Sequence, residues 1–327
     1  MASFGDFPYS TTQSNNNEEP AWERKVLEDL AFAALKEQRK SRRWGYFFKA
    51  LMLAYLVSLL YIMVPSGDSS SLPTEPHTAL VDIVGVIAAD AEANADTIVT
   101  GIRDAFDNEA AQGLILRMNT PGGSPVQSGI INDEINRLKA TRPDFPVYAV
   151  IQDVCASGGY YIAVAADEIY ADKASIVGSI GVRMDSFGFT DAIDKLGIKR
   201  RSITSGENKA FLDPFLPLKD KDLTHAHAML NNVHQQFIDV VKQGRGDRLA
   251  DDPRLFTGLF WSGEQALPLG LIDGLANSST IARDMIGAED IIDYTPRPDF
   301  LERFAGSLGA SINQLLLKSS SSTISIQ

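Results

Sequence analysis

An uninterrupted apolar run, WGYFFKALMLAYLVSLLYIMV at residues 44–64, divides this 327-residue chain. At helical rise a run of that length spans a hydrocarbon core. Its only charge, Lys49, sits near the start, where a lysine reaches the headgroups along its own stem. Trp44, Tyr46 and Tyr61 fall near the two ends, where interfacial aromatics are favoured. The segment KEQRKSRR just before the run has five basic residues against one acid, whereas residues 65–78 contain no Lys or Arg. That asymmetry places the N-terminus in the cytoplasm and everything after the run outside. A buried core helix is the alternative reading. A cleaved signal peptide is not, because 43 residues precede the run, far more than a normal basic leader.

Around this anchor the chain is expected to divide as follows. Residues 1–43 form a cytoplasmic part, an Asn/Ser/Thr-rich tail followed by a basic helix, and residues 65–78 a Pro/Ser-rich linker. Residues 79–295 form one α/β domain, and 296–327 a C-terminal helix with a flexible serine-rich end. Within the domain, ALVDIVGVIA, GLILRMN and VYAVIQD read as buried strands. Between the last two, Ser124, Pro125 and Gln127 read as an N-cap, a first-turn proline and a capping-box partner. Val126, Ile130, Ile135 and Leu138 are the expected apolar face of that helix. A second helix is expected over 221–243, with Leu223, Met229, Leu230, Val233, Phe237 and Val241 inward.

Bulk numbers exclude several classes. The net charge is −12 with no basic block outside the N-terminal third, which argues against nucleic acid as a partner. The one cysteine, Cys155, excludes an intrachain disulfide and cannot alone build a metal site. No metal and no cofactor is called for.

Two glycine pairs follow expected strands: NTPGGS, with Gly122 and Gly123, and ASGGYY, with Gly158 after Ser157. At such turns backbone N–H groups approach a ligand closely and can form an oxyanion hole. On spacing alone, Gly122 and Gly123 are as well explained by a tight turn. Ser157 lacks the G-x-S-x-G elbow, since Cys155 stands two residues before it. The four histidines are His77 in the linker and His225, His227 and His234 on the late helix; boundary positions suit packing better than catalysis, and no H-E-x-x-H is present. Cys155 reads as a small buried thiol. Lys209, followed by Ala210, Phe211 and Leu212, has an apolar setting unusual for a surface lysine.

In order along the chain, RMNTPGGSP, CASGGYYIA, VGSIGV, TSGENKAFLDPF and WSGEQALPLGLID resemble the signal peptide peptidase A family (S49 peptidases), with Thr120 replacing the usual serine of the first motif. The resemblance covers roughly residues 79–275. It implies a Clp-protease/crotonase-like α/β spiral of β-β-α units, preceded here by a single transmembrane helix. It implies Ser157 as nucleophile, Lys209 as general base and Ser179 as the serine orienting the lysine amine, with Gly122, Gly123 and Gly158 in the oxyanion region. It further implies peptide substrates such as remnant signal peptides, a ring-shaped homo-oligomer completing dyads between subunits, and a bacterial inner membrane location with the catalytic domain periplasmic. A SohB-like peptidase is a near alternative; a crotonase-like acyl-CoA enzyme and an inactive scaffold are more distant ones. As a base, Lys209 must be neutral near pH 7, and burial beside its three apolar neighbours is the expected cause, because desolvation disfavours the ammonium.

Overall fold

The computed structural model describes residues 21–63 and 73–297. The expected N-terminal tail and nearly all of the expected C-terminal helix lie outside them. The chain divides into two compact units, the second being Ser70–Pro298.

The first unit contains helix α1, Ala21–Met63, 43 residues that join the basic stretch and the apolar run without a break. Among the described residues no helix is long and apolar enough to cross a membrane. The described helix therefore does not bear out the anchor expected over 44–64. Arg42 and Arg43 border its apolar half. Phe47, Leu51, Leu53 and Tyr55 are exposed along it.

The second unit is an α/β domain built on strands β1 (His77–Val84), β2 (Ala111–Thr120) and β3 (Val147–Ala156). All three are parallel, with β1 beginning two residues ahead of the expected domain start. Alternation assigns each side chain to a face. Ala79, Val81 and Ile83 of β1, Leu114, Leu116 and Met118 of β2, and Val147, Ala149 and Ile151 of β3 enter the main core. Leu80, Ile115, Tyr148 and Val150 point the other way, against Ile281 and Ala282.

Helices α2 (Ala95–Asp107), α3 (Pro125–Thr141) and α4 (Gly158–Ala163) follow their strands in turn. Asn94 caps α2 by accepting from Thr97 N–H at 2.9 Å. Ser124 caps α3 as expected, accepting from Gln127 N–H, but Gln127 does not complete a capping box. Its Oε1 instead accepts from Ala95 N–H at 2.7 Å, tying the start of α2 to the start of α3. The buried face of α3 also differs from expectation. Ile131, Ile135 and Leu138 are buried, and Val126 and Ile130 are exposed, because the inward stripe is set by the sheet below and not by the first turn.

Strand β3 is shared by two neighbours. Its first half pairs with β4 (Glu168–Ala171) and its end with β5 (Ile176–Gly178). Between them β3 shifts register against β2: Met118 pairs with Ile151, but Thr120 pairs with Cys155. A cleft of about 1060 Å³ opens at this split, lined by Gln152, Asp153, Lys173 and Ser278; Ser157 is not part of it.

After β5 the chain leaves the sheet, forms the short α5 (Thr190–Lys195), and returns as α6 (Asp220–Arg245). It closes with β6 (Phe260–Ser262), α7 (Gly263–Ala266), β7 (Gly274–Leu275), α8 (Ser278–Thr280), a π-helical turn and β8 (Ile291–Asp293). The main strand order is β6-β5-β3-β2-β1-β8, with β4 and β7 branching from β3, and only β5–β6 is antiparallel. At the end of α6, buried Arg245 holds Asp273 through two hydrogen bonds of 2.6 and 3.0 Å. Of the expected α6 stripe, Phe237 and Val241 are buried, while Leu223 and Met229 near its start are exposed.

Candidate active site

Ser157 follows the last residue of β3 and precedes α4, at φ 52° and ψ −122°. A non-glycine residue held there costs about 1–3 kcal/mol and persists only where its surroundings over-determine it. Two bonds do so: Ser157 N–H donates to Gly178 O at 2.9 Å, and Ser157 O accepts from Tyr161 N–H at 3.0 Å. The side chain makes no capping bond and is half-buried, which leaves Oγ available.

Both glycine pairs close on this serine. A Cβ at position 122 would lie 2.6 Å from Ala156 O and 2.7 Å from Gly158 N, and Gly122 has φ +96°. A Cβ at position 158 would lie 2.5 Å from Ser128 Oγ and 3.1 Å from Gly123 N. The two turns are thus in van der Waals contact. Among the described residues, no hydrogen bond engages the N–H of Gly123 or of Gly158. Two unengaged donors beside a serine hydroxyl form an arrangement able to hold an oxyanion.

Thr120, the departure from the usual serine, keeps the hydroxyl's work. Its Oγ1 donates to Gly85 O at 2.6 Å and accepts from Gly122 N–H at 3.0 Å, fixing the turn from inside. Sequence reasoning did not assign it this role, although its place in the motif carried the signal. Ser128 was missed altogether; nothing in the pattern of α3 marks it.

Ser179 is half-buried at φ 53°, and its N–H donates to Leu259 O at 2.7 Å. Cys155 is fully buried, and burial pushes its thiol far above the ordinary range, so it stays protonated. The α6 histidines do not bond Ser157. His234 bonds Ile180 O at 3.2 Å, and His225 stacks edge-on to Phe211 at 5.6 Å. Among the described residues no group of three or more His, Cys, Asp or Glu is placed to hold a metal ion.

Lys209 is not where the sequence led us to expect it. It is exposed on the segment between α5 and α6, and no hydrogen bond or ion pair joins it to Ser157 within the chain. Ala210, Phe211 and Leu212 are half-buried beside it without covering it, because the segment stands off the sheet. Glu207 is turned to Lys221 at 2.7 Å, and that hydrogen bond holds its carboxyl below the usual range.

Residues 139–291 match the model of peptidase family S49; the match contains Ser157, Ser179 and Lys209 and begins after Gly123. The Na(+)/H(+) antiporter NhaA of Brucella abortus (strain 2308) is 46% identical over 73% of this chain and 30% of its own length. The putative signal peptide peptidase SppA of Enterococcus faecium is 26% identical over 66% of this chain and 64% of its own. Protease 4 of Haemophilus influenzae is 31% identical over 61% and 32%. The chain therefore spans 30% of the length of the first curated relatives it matches. A solved mutant of the 1510-N membrane-bound stomatin-specific protease overlaps 69% of this chain and 100% of its own at 16% identity and TM-score 0.39, too loosely to place any residue. The matched segment and the relatives named as peptidases support an SppA-like peptidase of family S49.

Proposed function

We propose that the chain is a membrane-anchored serine endopeptidase with Ser157 as nucleophile and Lys209 as general base. One observation carries the reading: Ser157 is held in a strained backbone conformation beside the two unengaged N–H groups of Gly123 and Gly158. Neutral Lys209 takes the hydroxyl proton as Oγ attacks the peptide carbonyl, and the two amides receive the developing oxyanion. Collapse breaks the C–N bond, and the lysine ammonium returns its proton to the leaving amine. Water, deprotonated by the same lysine, then releases the acyl group and restores Ser157. Ser179 orients the amine.

Lys209 reaches a serine on a neighbouring copy, and that contact supplies the desolvation the chain alone does not give. The support is the exposed apolar surface of the segment that carries it, including Phe187, Leu196 and Ile203. Closed repetition of such a contact makes a ring. We place the domain in the Clp-protease/crotonase-like fold, and the anchor at 44–64 in a bacterial inner membrane with the domain periplasmic. Apolar side chains exposed all round a helix, as on the second half of α1, suit lipid better than water. Substrates are peptides, remnant signal peptides among them.

Hydrolysis of a fluorogenic peptide by the detergent-solubilised full-length chain tests the reading. Activity is expected in wild type, absent in Ser157→Ala and in Lys209→Ala, and partly restored when the two variants are mixed. Wild-type turnover in Ser157→Ala would sink it.

A further inference from the structure

We infer that His234 is a positioning residue for the active site, acting through the carbonyl of Ile180; the inference rests on reading Ser157 as the nucleophile. The β5–β6 ladder ends at the pair Gly178 and Phe260. One more bond, Ser179 N–H to Leu259 O at 2.7 Å, extends it. The carbonyl of Ile180 lies beyond that end, on a fully buried residue. His234, half-buried on α6, meets it with Nε2 at 3.2 Å. A carbonyl only accepts, so the ring donates, and either the Nε2–H tautomer or the imidazolium serves.

Residues 178–180 begin at the nucleophile's backbone. Gly178 O receives the Ser157 N–H, and Ser179 holds φ 53°. Beyond them the chain runs into the exposed segment, and among the described residues its next backbone N–H donation is Phe189 to Pro214 O. His234 is thus the last side-chain fastening before the chain leaves the sheet. Its helix is itself tied to the site by a second route. Phe237, one turn further along α6, packs on the Tyr161 ring at 5.2 Å, and Tyr161 N–H donates to Ser157 O. One helix therefore fixes Ser157 from both sides, through Tyr161 behind it and through Ile180 beside it. A small shift of residues 178–180 moves Oγ relative to the Gly123 and Gly158 amides, and displacements of about 1 Å cost up to about 100-fold in rate.

The experiment compares His234→Gln, whose amide nitrogen reaches the place of Nε2, with His234→Phe, which fills the ring's volume without a donor. Both are made in the full-length chain. The Phe variant is expected to lose about 10-fold or more in kcat with KM nearly unchanged, and the Gln variant to retain kcat within about threefold. Should the Phe variant not fold, His234→Asn, too short to reach Ile180, is read in its place. A second measurement needs no catalysis: in a Ser157→Ala background, amide hydrogen exchange at positions 157 and 179 quickens with His234→Phe and not with His234→Gln. Wild-type kcat in the donor-less variant, equal damage in both variants, or unchanged exchange overturns the inference. Failure of the nucleophile reading shows separately, as peptide hydrolysis surviving Ser157→Ala, and leaves the exchange result to decide on His234.

Discussion

The sheet core and the segment between β5 and α6 are both rich in large apolar residues and use them in opposite ways. In β1 to β3, Ile83, Leu114, Leu116 and Met118 are wholly buried. In the segment, Phe187 is 76% exposed, Leu196 73% and Ile203 101%. What order the segment has is local: Phe189 stacks on Phe215 at 5.3 Å, and Arg200 pairs with Asp213. Beneath it, against the first turns of α6, lies an apolar cavity of about 330 Å³ bordered by Met184, Leu216 and Leu230. The core satisfies itself within one chain; the segment does not. The proposed catalytic groups divide along the same line, Ser157 with the core and Lys209 with the segment.

The largest expected effect tests that division directly. Lys209→Arg should abolish turnover, at least about 1,000-fold, because a guanidinium stays protonated at any working pH. Its melting temperature should match wild type, since Lys209 is exposed on its own chain. Substantial activity in this variant would break the comparison at its chemical end. Next comes a matched pair of truncations. Leu114→Ala in the core should cost about 2–5 kcal/mol and lower Tm by roughly 5–15 °C. Ile203→Ala should leave Tm of the dispersed chain unchanged and weaken self-association, as sedimentation reads it. Equal losses of Tm at the two positions would show that the segment is core after all.

Acid should act on the core first. Burial raises the Asp273 carboxyl, but the Arg245 hydrogen bond, the Ile169 N–H and the charges of Arg245 and Arg248 outweigh it and hold the group below its usual value. A depressed carboxyl contributes stability in full above its unfolded value of about 3.9 and loses it as pH falls through the folded one. Wild type should therefore lose Tm below about pH 4, and Asp273→Asn should lose less over that interval while starting from a lower Tm. A flat wild-type profile would remove the pair from the account. The smallest effect belongs to the exposed pair Glu207 and Lys221: Lys221→Ala should leave Tm unaltered, let the Glu207 carboxyl rise toward its ordinary value, and lower kcat by less than about threefold.

The legible parts of the sequence were those whose pattern follows from local geometry. Short apolar, β-branched runs marked β1, β2 and β3, and Ser124 with Pro125 marked the start of α3. The glycine pairs were legible because a close backbone approach leaves room for nothing larger, as Gly122 and Gly158 show. Faces chosen by distant partners were not legible. Val126 and Ile130 are as apolar as Ile131 and Ile135, and only the sheet beneath α3 decides which are buried. The same limit produced the mistaken burial of Lys209 beside Ala210, Phe211 and Leu212, since no local pattern tells that this segment is exposed. His234 and Ser128 bear no local mark at all; each is defined by a backbone atom far away in sequence, Ile180 O and the Gly158 turn.

The register shift in β3 has a consequence for how such a chain can change by insertion and deletion. Between the pairs Met118–Ile151 and Thr120–Cys155, β3 carries two residues more than β2. Two is a full period of strand alternation, so Ile151 and Cys155 still face the same core on either side of the interval. Removing Gln152 or Asp153 alone would turn Cys155 outward and carry Ser157 to the wrong side of its own strand. Removing both would keep the facing and merely draw the serine back along it. Lineages of this domain should therefore differ here by even numbers of residues, and an odd difference should mark a copy whose serine has turned away from the Gly123 and Gly158 amides.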